Sequence, residues 1–161
     1  MNNQRLENLN SKLSFKEKVY SYCLQLLEAK INQLRNNLLE LKEGTESDSK
    51  SSAGDKHETS RAMMQIEYEK ISRLLDEFQR QINELEKIDI HSVSGKIKSG
   101  SFIKTNVGYL FFGAAIGKIN VDEIAVMVIS LQSPIGLKLS GQKAGDRIEM
   151  NGLEYIIEKI D

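Results

Sequence analysis

Residues 14–41 read SFKEKVYSYCLQLLEAKINQLRNNLLEL, and this stretch decides the fold. It opens on Ser14 with Glu17 three residues on, a capping box in which each side chain accepts from the other's backbone N–H. Behind it Tyr20, Leu24, Leu27, Ile31, Leu34, Leu38 and Leu41 recur at alternating intervals of four and three. That heptad spacing gathers the apolar side chains into one narrow seam, which another helix can cover.

Further along, Met64, Tyr68, Ile71, Leu75, Phe78, Ile82 and Leu85 repeat the spacing. The two seams have equal numbers of rungs, so folding one back on the other pairs Leu41 with Met64 and Tyr20 with Leu85. An antiparallel helical hairpin over residues 1–90 follows, the alternative being a coiled coil between two chains. Tyr22 and Cys23 flank the seam and read as packing residues. Between the helices lies Gly44-Thr45-Glu46-Ser47-Asp48-Ser49-Lys50-Ser51-Ser52-Ala53-Gly54, whose serine and glycine content predicts a flexible turn. With the acidic residues that follow it, this turn forms a hairpin tip over residues 44–58.

Glycine usage changes at the end of the hairpin. Nine of the eleven glycines fall at position 95 or later, so the pattern shifts from helix to strands and turns. Strands are expected at Ser101–Thr105, Tyr109–Ile116, Ile124–Ser130, Asp146–Met150 and Leu153–Ile160, with Asn151-Gly152 as a tight hairpin turn. Ser133-Pro134 through Ser140-Gly141 predicts one short helix: serine caps it, proline starts it and glycine follows its end. The fold class is therefore α+β, a helical hairpin followed at 91–161 by a small antiparallel β domain with one short helix.

Composition narrows the function. The charged fraction is 28% and the net charge −1, which argues against independent DNA binding, since that calls for a basic excess. No run nears the roughly 18 apolar residues of a membrane span, and the polar, mixed-charge residues at 1–7 are not expected to serve as a signal peptide. A single cysteine, Cys23, allows no internal disulfide, so a reducing cytoplasm is the expected location. No phosphate-binding glycine loop or nucleophile–base pair is legible, and a stand-alone enzyme is not expected.

The chemistry-bearing candidates sit in Gly54-Asp55-Lys56-His57-Glu58-Thr59. Asp55 and Glu58, three apart at a helix start, share one face and suit shared coordination of Mg²⁺, which typically takes one or two protein carboxylates. The same spacing also makes a plain capping box. His57 reads as a solvated tip residue, and Arg61, Lys70, Arg73 and Arg80 as a solvated face.

Two segments carry a family resemblance. Ile129-Ser130-Leu131-Gln132-Ser133-Pro134-Ile135-Gly136, continued by Leu139-Ser140-Gly141-Gln142-Lys143-Ala144-Gly145-Asp146, resembles the C-terminal signature of the Gre family of bacterial transcript-cleavage factors. Gly54-Asp55-x-x-Glu58 is similar to that family's acidic hairpin tip. The resemblance implies an FK506-binding-protein-like β domain that docks on RNA polymerase at its secondary channel, with Ser133, Pro134, Ile135, Gly136, Gly141, Gly145 and Asp146 as the partner-docking segment. It implies that Asp55 helps hold an Mg²⁺ shared with polymerase, that Glu58 positions the attacking water, and that the nascent RNA 3′ end is met only within the complex. Thr59 and Ala62 stand where the family's tip carries asparagine and tyrosine. This departure keeps open a non-cleaving regulator of the same channel, beside a coiled-coil interaction module unrelated to polymerase.

Overall fold

The computed structural model describes residues 13–48 and 54–161, the side chains of 45–48 and 55 excepted. Two long helices, α1 (Phe15–Asp48) and α2 (Gly54–Glu86), precede six strands and one short helix, an α+β architecture. Contacts divide the described chain into two compact units. One holds the residues up to Leu24 together with Asn83–Asp161, the other Gln25–Ile82.

Helix α1 begins where the capping box places it. Ser14 N donates to Glu17 Oε2 at 2.7 Å and Glu17 N to Ser14 Oγ at 3.2 Å. Helix α1 has 34 residues and α2 has 33, each rising ~1.5 Å per residue. The expected rungs form: Tyr20 Oη donates to the Leu85 carbonyl at 3.2 Å, and Leu41 and Met64 line common grooves. Within the Gln25–Ile82 unit, Leu27, Ile31, Ile71 and Ile82 are buried, while Leu34, Leu38, Leu41, Met64, Leu75 and Phe78 are half-buried. Lys30 Nζ lies 5.2 Å from the Phe78 ring centroid, a cation–π contact along the seam.

Two seam expectations are corrected. Val19 and Cys23, not Tyr20 and Leu24, are the fully buried residues near the start of α1. There the helix faces the sheet as well as α2, so its buried arc turns away from the strict heptad line. The flexible turn expected from Gly44 is also shortened, because α1 continues to Asp48 and α2 has begun by Gly54. Helical hydrogen bonding outweighs one glycine, and the rest of that turn, 49–53, lies outside the described residues.

The strands are β1 (Phe102–Thr105), β2 (Gly108–Gly113), β3 (Gly117–Val121), β4 (Ile124–Ser130), β5 (Arg147–Met150) and β6 (Leu153–Ile160), with helix α3 (Pro134–Leu139) between β4 and β5. They form one sheet in the order β3-β4-β2-β1-β6-β5. The sheet is mostly antiparallel but not wholly so: β2 and β4 run parallel, Phe111 opposite Val128. Strand β3 was not expected. It reaches β4 through Asp122-Glu123, both left-handed at φ 47° and 64°, a two-residue turn built without glycine. Asn151-Gly152, at φ 53° and 76°, makes the corresponding turn between β5 and β6 as expected.

Both sheet faces are covered. On one, Ile103, Leu110, Phe112, Ile129 and Ile157 pack with Ile97 and with Leu139 of α3. On the other, Phe15 of α1 meets Phe102 edge-on at 5.5 Å, and Phe102 stacks on Tyr109 at 5.6 Å. Leu85 approaches Gly113 so closely that a Cβ there would lie 2.7 Å from Leu85 Cδ2. An ion pair of 2.7 Å joins Lys18 to Asp122 of the β3–β4 turn. The first ten residues of α1 thus belong to the β-bearing unit, with Val19 and Cys23 fully buried.

Candidate functional site

Two groups of predicted site residues fall in different units. Asp55 and Glu58 are in the Gln25–Ile82 unit, and Ser133 to Asp146 in the other. Gly54 is already helical, so Asp55 stands inside the first turn of α2 and not at its cap. A carboxylate there suits the positive end of a helix whose first N–H groups lack intrahelical partners. The side chain of Asp55 lies outside the described residues. Glu58 is exposed, whereas His57 is half-buried, contrary to the solvated position expected for it, and both His57 and Thr59 have interaction partners. Among the described residues no group of three or more His, Cys, Asp or Glu side chains is placed to hold a metal ion.

The signature segment has a local explanation for nearly every residue. Ser133 Oγ donates to the Ser130 carbonyl at 2.7 Å and accepts from Gly136 N at 3.1 Å, capping α3. Pro134 occupies the first turn, where its missing N–H costs nothing. Gly136 is buried against the backbone of Ser130 and Leu131, leaving no space for a Cβ. Ile135 packs on the core around Leu139. Gly141, at φ 78°, donates its N–H to Ile97 O, and Gly145, at φ 92°, to Ile157 O, both at 2.8 Å. Asp146 Oδ2 accepts from Lys143 N at 2.7 Å and closes the loop before β5. These residues are brought together as one capped helix and two glycine turns, with Pro134, Leu137, Lys138, Gly141 and Gly145 exposed along it.

No protein-family model and no curated protein matches this chain.

Around the helix base several groups are electrostatically tuned. Burial lowers the pKa of the Lys16 ammonium, with Asp161 opposing, and Lys16 Nζ lies 3.5 Å from the Ser92 carbonyl. Hydrogen bonds from the Ser14 backbone and hydroxyl hold the Glu17 carboxyl below the usual range, helped by His91, whose Nδ1 is 3.5 Å away. Burial, then the charge of Glu86, pushes the Tyr20 phenol up, in keeping with its role as a donor to Leu85 O. Burial alone pushes the Cys23 thiol up to about 12, so the packing role expected of Cys23 is the one its environment suits. Tyr22 is more exposed, at 39%.

Arg61, Lys70, Arg73 and Arg80 are exposed as expected. Lys70 pairs with Glu67 at 3.5 Å, and Arg73 Nε donates to the Glu69 carbonyl at 3.2 Å. Heptad reasoning missed a groove of about 870 Å³ beside the Leu41–Met64 rung, walled by Leu38, Leu39 and Tyr68. Leu39 is 59% and Tyr68 52% exposed. The signal available in the sequence was Leu39 itself, an apolar residue directly after a seam position, where a two-helix hairpin needs none.

Proposed function

We propose that this chain is a Gre-like transcription elongation factor, which docks on RNA polymerase at the secondary channel through its β-bearing unit. It acts by bringing the first turn of α2 to the polymerase active centre, where Mg²⁺-dependent cleavage of backtracked RNA takes place. The observation that carries this reading is the position of Asp55 and Glu58, in the first turn of the second helix of an antiparallel hairpin. The signature-bearing β unit that follows supports it. In the Gln25–Ile82 unit, α1 runs from Gln25 to Asp48, roughly 35 Å of helix at ~1.5 Å per residue, a length suited to a channel.

In this role Asp55 is the ligand and Glu58 orients water. The shared Mg²⁺ supplies Lewis-acid activation of the attacking water and charge stabilisation at the phosphate. The protein's own contribution is to hold two acidic residues three apart on a helix, so that their spacing is set before docking. It hydrolyses nothing by itself.

The test is a stalled, backtracked elongation complex incubated with the wild-type chain and with Asp55→Asn. Asparagine removes the charge at a position where the helix needs no side-chain cap, so circular dichroism should be unchanged. Wild type should shorten the RNA in a Mg²⁺-dependent manner, and Asp55→Asn should not. Shortening that survives the substitution would remove Asp55 from the mechanism, and no shortening with wild type would remove cleavage altogether. Thr59 and Ala62, at the positions of the family's asparagine and tyrosine, favour a second reading as a non-cleaving regulator of the same channel. That reading expects altered initiation without shortening, and failure to bind polymerase at all would leave a coiled-coil interaction module.

A further inference from the structure

We propose that the groove beside the Leu41–Met64 rung is a docking site for an acidic amphipathic helix of another protein. This goes beyond the polymerase reading and does not depend on whether Asp55 binds metal. Apart from Tyr68 and Gln65 the groove's walls are apolar, and among the described residues its rim carries Arg35, Lys42 and Arg61 with no carboxylate. Among the described residues none of these three cations makes an ion pair or hydrogen bond. Among the groove's described residues an excess of three cations is a local feature, since the chain's net charge is −1. The groove on the other side of the same rung, about 750 Å³, balances Lys56 with Glu67 and supplies an internal comparison.

The geometry selects a helix. Arg35 and Lys42 are seven residues apart on α1, as are Arg61 and Tyr68 on α2, so each wall spans two turns, roughly 10 Å. A third helix laid in the groove would place carboxylates at positions i and i+7 against Arg35 and Lys42. Its apolar residues at i+3 and i+4 would fall on Leu39 and Tyr68. An extended peptide would fare worse, because mid-helix backbone groups are already paired and offer no ladder to a strand. A nucleic-acid strand would find a single aromatic ring for stacking and, besides the rim cations, only the Gln65 amide, whose Nε2 already donates to Glu69 Oε1 at 2.9 Å.

The experiment uses the full chain and a fluorescent, side-chain-stapled helix with leucines on one face flanked by glutamates. Fluorescence anisotropy should show binding that weakens with added salt, while the same helix with lysines for glutamates should not bind. Replacing the three cations together (Arg35→Gln, Lys42→Gln, Arg61→Gln) should weaken binding about tenfold or more, and so should Tyr68→Ser, with the helical signal unchanged. Lys56→Gln, in the comparison groove, should leave binding as it was. The proposal is overturned if the basic helix binds equally well, or if both the triple variant and Tyr68→Ser bind like wild type. It is likewise overturned if a single-stranded RNA oligomer binds more tightly than the acidic helix, or if sedimentation shows the chain pairing with itself through Tyr68.

Discussion

Substituting Gly136 by alanine separates two opposed effects at one position. In an open helix the change helps by roughly 0.5–1 kcal/mol, because glycine loses more backbone freedom on folding. At Gly136 the new Cβ would fall on the Ser130 carbonyl oxygen and within 2.8 Å of Leu131 Cα and 2.9 Å of Leu131 C. Those are backbone atoms, and the Ser130 carbonyl is held in place by Ser133 N at 3.0 Å and Ser133 Oγ at 2.7 Å. Relief must come from α3 sliding by about 1 Å, which would lift Leu139 from the core. Overpacking of this kind costs about 1–3 kcal/mol, so the net loss should be about 1.3 kcal/mol once the helix gain is subtracted. At about 2.1 cal/mol/K of unfolding entropy per residue, the Tm of a 161-residue chain would fall by roughly 4 °C. Gly54→Ala is the matched control: it is helical, and a Cβ there meets nothing within 4 Å, so its Tm should hold or rise. Thermal unfolding by circular dichroism decides, and a Gly136→Ala protein as stable as wild type would refute the packing argument.

The remaining expectations concern titratable groups near the helix base. With its thiol pushed up to about 12 and fully buried, Cys23 should resist an aromatic disulfide reagent at pH 8 in the native protein and react promptly in denaturant; prompt native reaction would contradict this. Glu17 has a depressed pKa, so its contribution to stability is complete above its ordinary value of 4.5 and is lost as pH falls through the lower folded value. Glu17→Gln should therefore show a smaller Tm drop between pH 7 and pH 3 than wild type, and an equal drop would exclude Glu17 from the acid response.

What was legible in the sequence was local. The Ser14–Glu17 box, the Asn151-Gly152 turn and the Ser133–Gly141 helix each depend on a few neighbouring residues, and each formed as read. The rung pairing of Tyr20 with Leu85 was also legible, because matched heptads leave one antiparallel register. Longer-range choices were not. Strand β3 escaped because Asp122 and Glu123 take left-handed conformations that their residue types do not advertise. The parallel pairing of β2 with β4 is a matter of topology that strand patterns do not encode. Val19 and Cys23 displaced Tyr20 and Leu24 from the centre of the seam because the sheet adds a second surface for α1 to bury. Of the candidate site, the helical start around Asp55 was within one residue of expectation. The cation-rimmed groove was invisible to a pattern that assigns each helix a single partner.

The position of β6 has a consequence for how the chain comes to be assembled. Residues 153–160 lie inside the sheet between β1 and β5, with Ile157 at the centre of the core, although they follow every other strand along the chain. Neither β1 nor β5 can be completed, and the base of α1 cannot settle on a finished surface, until those residues emerge. The β-bearing unit therefore cannot mature stepwise behind the ribosome, and a nascent chain halted before Leu153 would hold its long helices beside an unclosed sheet.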